Sequence, residues 1–190
     1  MIRCFLAVDL DPEVIASICQ AITRLKQVMP SLRWVPPANF HLTIKFLGAI
    51  EQSQIDPLAV ALDEQLRPFP RFSINAKGLG VFPDSRRPKI LWVGFAGDQL
   101  LRLANHAEMV LQPLGFVPEI RPYKPHLTIG RWRQFERPPN ALSADLMKWR
   151  DYEFGESFID KVILYQSVLK PEGASYQTLK AVSLNEQPSD

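Results

Sequence analysis

A four-residue segment containing a histidine and a threonine occurs twice in the sequence. It is His41-Leu42-Thr43-Ile44 in the first half of the chain and His126-Leu127-Thr128-Ile129 in the second. The chain has three histidines, and two of them begin this identical segment, which indicates an internal repeat. We therefore expect two copies of one half-site that face each other.

Each copy is predicted to form a β-strand, because it is short and rich in β-branched residues. Side chains alternate along a strand, so His41 and Thr43 are expected to share one face, opposite the two aliphatic residues of the segment. The same alternation holds for the second copy. Each copy thus presents an imidazole and a hydroxyl on one face and two apolar anchors on the other.

Paired histidines with neighbouring hydroxyls suit acid–base chemistry at a phosphate. Imidazole titrates near neutral pH, so one ring can take a proton from an attacking oxygen while the other protonates the departing oxygen. The hydroxyls of Thr43 and Thr128 can donate hydrogen bonds to non-bridging oxygens. The pattern favours phosphodiester cleavage, particularly attack of water on a strained cyclic phosphate, with His41 and His126 as catalytic residues.

A metal site and a structural role are the alternatives for the two histidines. Catalytic zinc usually takes three protein ligands, whereas each copy offers one good ligand and contains no acidic residue. A buried histidine satisfied by its neighbours is the ordinary case, and the repetition argues against it here. The sequence also lacks the glycine-rich, Walker-type, nucleophile-elbow and Cys-x-x-Cys motifs, so we expect no metal and no cofactor. The third histidine, His106, is predicted to be a surface or half-buried helix residue.

Composition and charge limit the kind of protein and its partners. With 190 residues, of which 46% are hydrophobic and 22% charged, the chain can bury a core as one domain or two small lobes. The net charge of +2 is too small to coat nucleic acid, so an anionic ligand must meet a local basic patch. The densest basic run, Arg86, Arg87 and Lys89, is interpreted as a solvated hairpin tip in preference to a rim for substrate phosphates.

The sequence predicts a cytoplasmic protein. Cys4 and Cys19 are interpreted as small apolar residues rather than a disulfide or a metal pair. No signal peptide and no run of membrane-spanning length is found. Because two half-sites lie within one chain, no obligate protein partner is expected.

Hydrophobic periodicity predicts an α+β protein of mainly antiparallel sheet, in two lobes related by the repeat. The predicted helices cover 11–28, 53–66, 100–111 and 142–149. The predicted strands cover 2–9, 33–35, 40–47, 72–76, 90–95, 124–131, 158–165 and 176–181. A loop is predicted over 78–84, and a hairpin turn over 170–173.

The sequence resembles the 2H phosphoesterase superfamily, and most closely its RNA 2′,3′-cyclic phosphodiesterase branch, also called 2′-5′ RNA ligase-like. The resemblance is carried by the segments 41–48 and 125–131, which look like the two signature motifs. It extends to Arg3-Cys-Phe-Leu-Ala-Val-Asp-Leu, Trp34-Val-Pro-Pro, Gly78-Leu-Gly-Val-Phe-Pro, Leu91-Trp-Val-Gly and Val162-Ile-Leu-Tyr-Gln-Ser.

The resemblance implies a fold and an activity. The fold would be bilobal, with helices packed outside and a central cleft, and 1–190 would be a single domain of two intertwined lobes that contribute 41–44 and 126–129. The activity would be cofactor-free hydrolysis of 2′,3′-cyclic phosphates at RNA 3′ ends or on nucleotides to 2′-phosphates, with reversible 2′-5′ joining in some members.

The resemblance also implies roles for five residues. His41 would protonate the leaving 3′ oxygen and His126 would activate water, although the identical copies do not themselves distinguish these roles. Thr43 and Thr128 would bind phosphate oxygens, and Arg131 corresponds to an arginine placed on the phosphate.

Simple alternation makes further predictions about the residues that follow the two threonines. Arg131 falls on the face opposite His126 and reaches the cleft only if the strand bends near Gly130. Phe46 is likewise expected in the core, whereas Lys45 is expected on the His41 face, either near the ligand or solvated.

Two other functions fit the same residues. The first is a module that binds RNA ends without turnover, with Trp34 and Tyr123 as aromatic platforms. The second is a phosphoesterase for a different small cyclic phosphate, since the motifs contact the phosphate and leave base and sugar to loops.

Overall fold

The computed structural model describes residues 1–133, 142–171 and 173–186. The helices are α1 (Pro12–Val28), α2 (Ile55–Leu66), α3 (Asp98–Leu111) and α4 (Leu142–Lys148). The strands are β1 (Ile2–Val8), β2 (Arg33–Trp34), β3 (Leu42–Ile50), β4 (Phe72–Phe82), β5 (Ile90–Ala96), β6 (His126–Arg131), β7 (Glu153–Ile159), β8 (Lys161–Lys170) and β9 (Gly173–Ser183).

The strands form two sheets, in the orders β3-β1-β8-β9 and β2-β6-β5-β4-β7. All pairings between these strands are antiparallel, which confirms the predicted α+β class. Each sheet holds one copy of the repeated segment, in β3 at one edge of the four-stranded sheet and in β6 within the five-stranded sheet. The apolar anchors Leu42 and Leu127 are buried, as alternation predicts.

The helices cover the sheets with their apolar stripes. The buried residues of α1, from Val14 to Leu25, recur every three or four positions, and this helix packs against β7. Helix α2 packs against β9, and α3 packs against β3. Asp11 precedes α1 as predicted, but its carboxylate accepts a hydrogen bond from the Phe158 amide (2.7 Å) instead of capping the helix.

Two of the predicted boundaries are wrong. The predicted strand 158–165 is two strands, because the chain leaves β7 in one sheet and enters β8 in the other across Asp160. The crossing is a single residue and contains no glycine or proline, so the sequence gives no turn signal there. The predicted loop from Gly78 is instead the second half of β4, which continues to Phe82 after an irregularity between Ala76 and Leu79. Gly78 has a positive φ of 74° at that irregularity, so the glycine marks a bulge rather than a turn.

The hairpin predicted over 170–173 agrees with the pairing of Lys170 with Gly173, while Glu172 lies outside the described residues. Both cysteines are free, with Cys4 buried and Cys19 half-buried. Across the described ranges, none of the helices has the length and apolar character needed to cross a bilayer.

Candidate active site

A cavity of ≈ 840 Å³, hereafter the cleft, is lined by residues from both sheets. The first copy of the repeat contributes His41 and Thr43 to its lining, and the second contributes His126, Thr128 and Arg131. The structure therefore brings all five predicted site residues to one cavity, although the two copies belong to different sheets.

Both histidines are held by the same backbone contact. The Nδ1 atom of His41 lies 2.9 Å from the carbonyl oxygen of Asn39, and that of His126 lies 2.7 Å from the carbonyl oxygen of Lys124. In each copy the carbonyl is two residues before the histidine. Because Nδ1 must donate to a carbonyl, Nε2 is the ring nitrogen left to exchange a proton with a ligand.

The two rings have different neighbours. The His41 ring lies 4.8 Å from the Phe5 ring and meets Tyr176 edge-on at 4.8 Å. The His126 ring meets Phe82 edge-on at 5.0 Å, and Phe82 in turn packs against Trp92 at 5.1 Å. The repeat in sequence thus places two identical groups in unequal environments.

Burial lowers the pKa of His41 below its usual value, because the protein interior disfavours the charged imidazolium. The hydrogen bond to the Asn39 carbonyl and the charge of Asp9 act in the opposite direction, and the positive charge of Arg131 adds to the lowering. Burial therefore favours the neutral form of His41 in the free protein. An anion bound in the cleft would favour its protonated form.

A β-bulge occurs at the same position in both copies of the repeat. On β1, Leu6 pairs with Lys45 and the next residue, Ala7, pairs with Thr43, so Ile44 is the extra residue. On β5, Leu91 pairs with Gly130 and Trp92 pairs with Thr128, so Ile129 is the extra residue. An extra residue reverses the faces of all the residues that follow it.

In the second copy, the bulge turns Arg131 into the cleft. The condition for Arg131 to reach the cleft is therefore met, and its cause is the bulge at Ile129. Gly130 itself allows close packing, because a Cβ atom there would lie 2.5 Å from Cδ2 of Leu32, the residue before β2.

In the first copy, the bulge makes both predictions from simple alternation wrong. Lys45 is buried and donates hydrogen bonds to both carboxylate oxygens of Glu108 (2.7 and 2.6 Å) and to the Val117 carbonyl (2.9 Å). Phe46 is 73% exposed and lines the cleft. Phe46 and Arg131 thus occupy equivalent positions, five residues after their histidines.

The cleft is electropositive. Arg3, Arg33 and Lys170 join Arg131 in its lining, and among the described residues no Asp or Glu lines it. Sequence reasoning missed these three cations; the one available signal was the short strand Arg33-Trp34 ahead of the first motif. The basic run 86–89 lies at a hairpin tip, outside the cleft lining. The Asp84 carboxylate there accepts hydrogen bonds from the backbone amides of Arg86 and Arg87.

Two aromatic residues considered for base stacking have different positions. Trp34 lines the cleft. The Tyr123 hydroxyl instead donates a hydrogen bond to the Thr43 carbonyl (3.1 Å), and burial raises the pKa of this phenol. Tyr123 therefore joins the approach to the second motif to the backbone of the first.

The remaining candidates lie elsewhere. His106 in α3 bonds the Gln65 carbonyl through Nε2 (2.7 Å) and is half-buried, as predicted. Within 1–133, 142–171 and 173–186, no three His, Cys, Asp or Glu side chains are arranged to hold a metal ion.

Comparison with known proteins identifies the family. Residues 8–92 and 95–175 match the family described as LigT like Phosphoesterase. The RNA 2′,3′-cyclic phosphodiesterase of Methanocaldococcus jannaschii is 32% identical over 178 residues, covering 94% of this chain and 98% of that protein. The Aquifex aeolicus protein of the same name is 35% identical over 151 residues, covering 78% and 79%. The crystal structure of the Thermus thermophilus protein TT0787 matches with a TM-score of 0.81 and 27% identity over 98% of this chain and 100% of that one. The chain therefore belongs to the LigT-like phosphoesterase family, as the two histidine motifs predicted.

Proposed function

We propose that this protein hydrolyses terminal 2′,3′-cyclic phosphates of RNA or nucleotides to 2′-phosphomonoesters. The observation that carries the proposal is a single cleft lined by His41 and His126, each with Nδ1 bonded to a carbonyl and Nε2 left for the ligand. The relatives named RNA 2′,3′-cyclic phosphodiesterase support this substrate class.

The proposed reaction is one displacement at phosphorus with two proton transfers. His126 takes a proton from water as the water oxygen bonds to phosphorus, and His41 gives a proton to the 3′ oxygen as its bond to phosphorus breaks. The products are a 2′-phosphate and a 3′-hydroxyl. This assignment of acid and base follows the family resemblance. Burial lowers the pKa of His41 in the free protein, and the negative charge of the bound phosphate acts in the opposite direction, favouring the protonated form that donates the proton.

The other three site residues would stabilise the charge on the phosphate. Thr43 and Thr128 can donate hydroxyl hydrogen bonds to the two non-bridging oxygens, and Arg131 supplies positive charge to the same group. Together with two imidazoles, this set provides proton transfer and charge stabilisation without a metal ion. We therefore propose a metal-independent reaction.

Hydrolysis is proposed as the main reaction, and 2′-5′ joining as the same displacement with an RNA 5′-hydroxyl in place of water as the attacking group. Water is in vast excess over RNA 5′-hydroxyl ends, and a net charge of +2 holds a second strand weakly. We also infer a cytoplasmic location, because RNA ends are found there and Cys4 and Cys19 are free thiols.

Phosphorus NMR of 2′,3′-cyclic AMP incubated with the protein tests the proposal. The wild-type protein should produce the 2′-phosphate, and His41→Ala and His126→Ala should each lower the rate by about 10²–10⁴-fold. A chelator should leave the rate unchanged. His106→Ala is the matched control, because this third histidine bonds the Gln65 carbonyl outside the cleft, and it should retain activity.

Two outcomes would contradict the proposal. Full activity of both His41→Ala and His126→Ala would contradict the two-histidine mechanism. A wild-type protein that binds the cyclic phosphate and protects it from opening would be an RNA-end-binding module. Circular dichroism of each variant separates loss of chemistry from loss of fold.

A further inference from the structure

Two arginines lie directly opposite each other on neighbouring strands of the cleft. Arg33 of β2 is the register partner of Arg131 of β6, and both line the cleft. Residues directly opposite in an antiparallel pair point to the same face, with Cβ atoms about 4.5–5.5 Å apart. Like charges in this position repel each other, and an anion bound between the two guanidinium groups would relieve the repulsion.

The described residues of the cleft lining do not supply such a negative charge. Among the residues that the structure describes, no Asp or Glu lines the cleft, and neither guanidinium group forms an ion pair. Buried Lys45, by contrast, is matched by Glu108. The positive charge of the arginine pair is therefore left for an anionic ligand.

Binding of the terminal cyclic phosphate does not require Arg33. In the proposed function, that phosphate is bound by Thr43, Thr128 and Arg131, and the motif residues of the second copy are on β6. Arg33 lies on the edge strand β2, which is the neighbour of β6. Neighbouring strands are about 4.8 Å apart across a sheet. In an RNA end, the next anionic group is the phosphodiester that joins the terminal nucleotide to its neighbour.

We propose that Arg33, beside Arg131, binds this preceding phosphodiester, so that the cleft selects RNA ends over mononucleotides. The assignment rests on the proposed function and names a residue that sets its substrate preference. Local charge must provide this preference, because a net charge of +2 gives little general attraction for RNA. Trp34, the next residue on β2, also lines the cleft.

The test compares two substrates that differ by one phosphodiester. These are 2′,3′-cyclic AMP and the dinucleotide ApA carrying a 2′,3′-cyclic phosphate. Arg33→Gln should lower the ratio of kcat/KM for the dinucleotide to that for the mononucleotide by about tenfold, mainly through the KM of the dinucleotide. The salt dependence of log kcat/KM for the dinucleotide should become shallower by about 0.7, the value for one lost contact to single-stranded nucleic acid. Arg33→Lys should restore part of the ratio.

Arg24→Gln is the matched control, since this exposed arginine of α1 carries the same charge outside the cleft lining and should leave the ratio unchanged. If Arg33→Gln leaves the ratio of kcat/KM for the dinucleotide to that for the mononucleotide unchanged, the assignment is overturned. This holds whether kcat/KM falls equally for both substrates or for neither. A wild-type protein that opens neither cyclic phosphate would overturn the proposed function instead. Fluorescence-monitored binding of the same two compounds would then test Arg33 independently, with the same tenfold change in the ratio of Kd values expected.

Discussion

At the scale of the residue, His41 and His126 share a hydrogen-bond pattern but have different neighbours. Asp9, which accepts a hydrogen bond from the Tyr165 hydroxyl (2.9 Å), raises the pKa of His41, while Arg131 from the other sheet lowers it. The charge on His41 thus depends on residues from both halves of the chain. A sequence repeat predicts the two imidazoles but not this difference, because neither neighbour lies within the motif of His41.

The pKa of His41 can be tested with charge-removing variants of opposite sign. The imidazole should titrate below its usual value in the free protein, because burial disfavours the protonated form. Removing a negative neighbour with Asp9→Asn should lower the pKa further, and removing a positive one with Arg131→Gln should raise it. NMR titration of the histidine ring signals measures the midpoints, and His41→Ala assigns the signal. Shifts of the same sign in both variants would show that these charges do not control His41.

At the scale of the element, the bulges at Ile44 and Ile129 mark the limit of what the sequence could predict. Alternation correctly placed each histidine and threonine together, because these positions precede the bulge. It placed Lys45 and Phe46 on the wrong faces, because the extra residue, Ile44, lies between Thr43 and these two positions. A bulge is set by pairing with a neighbouring strand that is distant in sequence, so no local pattern reveals it. The cleft cations Arg3, Arg33 and Lys170 were missed for the same reason, since sheet pairing brings them together.

Gly80 in β4 leaves room for the Trp92 indole, which contacts the His126 ring through Phe82. A Cβ atom there would lie 2.2 Å from Cζ2 of Trp92, and Trp92 packs against Phe82, which contacts His126. Gly80→Ala should therefore displace the indole, lowering the free energy of unfolding by about 1–3 kcal/mol. It should also lower kcat/KM for a 2′,3′-cyclic nucleotide by about tenfold, because the histidine shifts. Urea unfolding and steady-state kinetics measure the two effects.

A double-mutant cycle provides the control for Gly80→Ala. In a Trp92→Leu background the smaller side chain leaves room for the new methyl group, so the added substitution should cost less than in the wild-type protein. Equal costs in both backgrounds would mean that the damage comes from the strand itself and not from contact with Trp92.

At the scale of the whole molecule, the two sheets are connected by segments that cross between them. Strand β2 precedes the first motif in sequence but pairs with β6 of the second, and the Val35 amide donates to the Ile129 carbonyl (2.9 Å). The chain crosses again between β7 and β8. We propose on this basis that 1–190 acts as a single domain of two intertwined lobes, because neither sheet is built from one continuous half of the chain.

The Lys45–Glu108 pair is one contact through which the two halves should stabilise each other. It joins β3 of the four-stranded sheet to α3, which follows β5 of the other sheet, and Lys45 also holds the Val117 carbonyl ahead of the second motif. Glu108→Ala leaves the buried ammonium without its carboxylate and should lower the free energy of unfolding by about 3 kcal/mol. Adding Lys45→Met removes the uncompensated charge and should recover at least half of that loss. Glu153→Ala is the matched control, because its pair with Lys77 is exposed and long (3.5 Å) and should be worth less than about 1 kcal/mol. Urea unfolding of the wild-type protein and the three variants measures these free energies. Equal decreases in the free energy of unfolding for Glu108→Ala and Glu153→Ala would show that the buried pair does not hold the halves together.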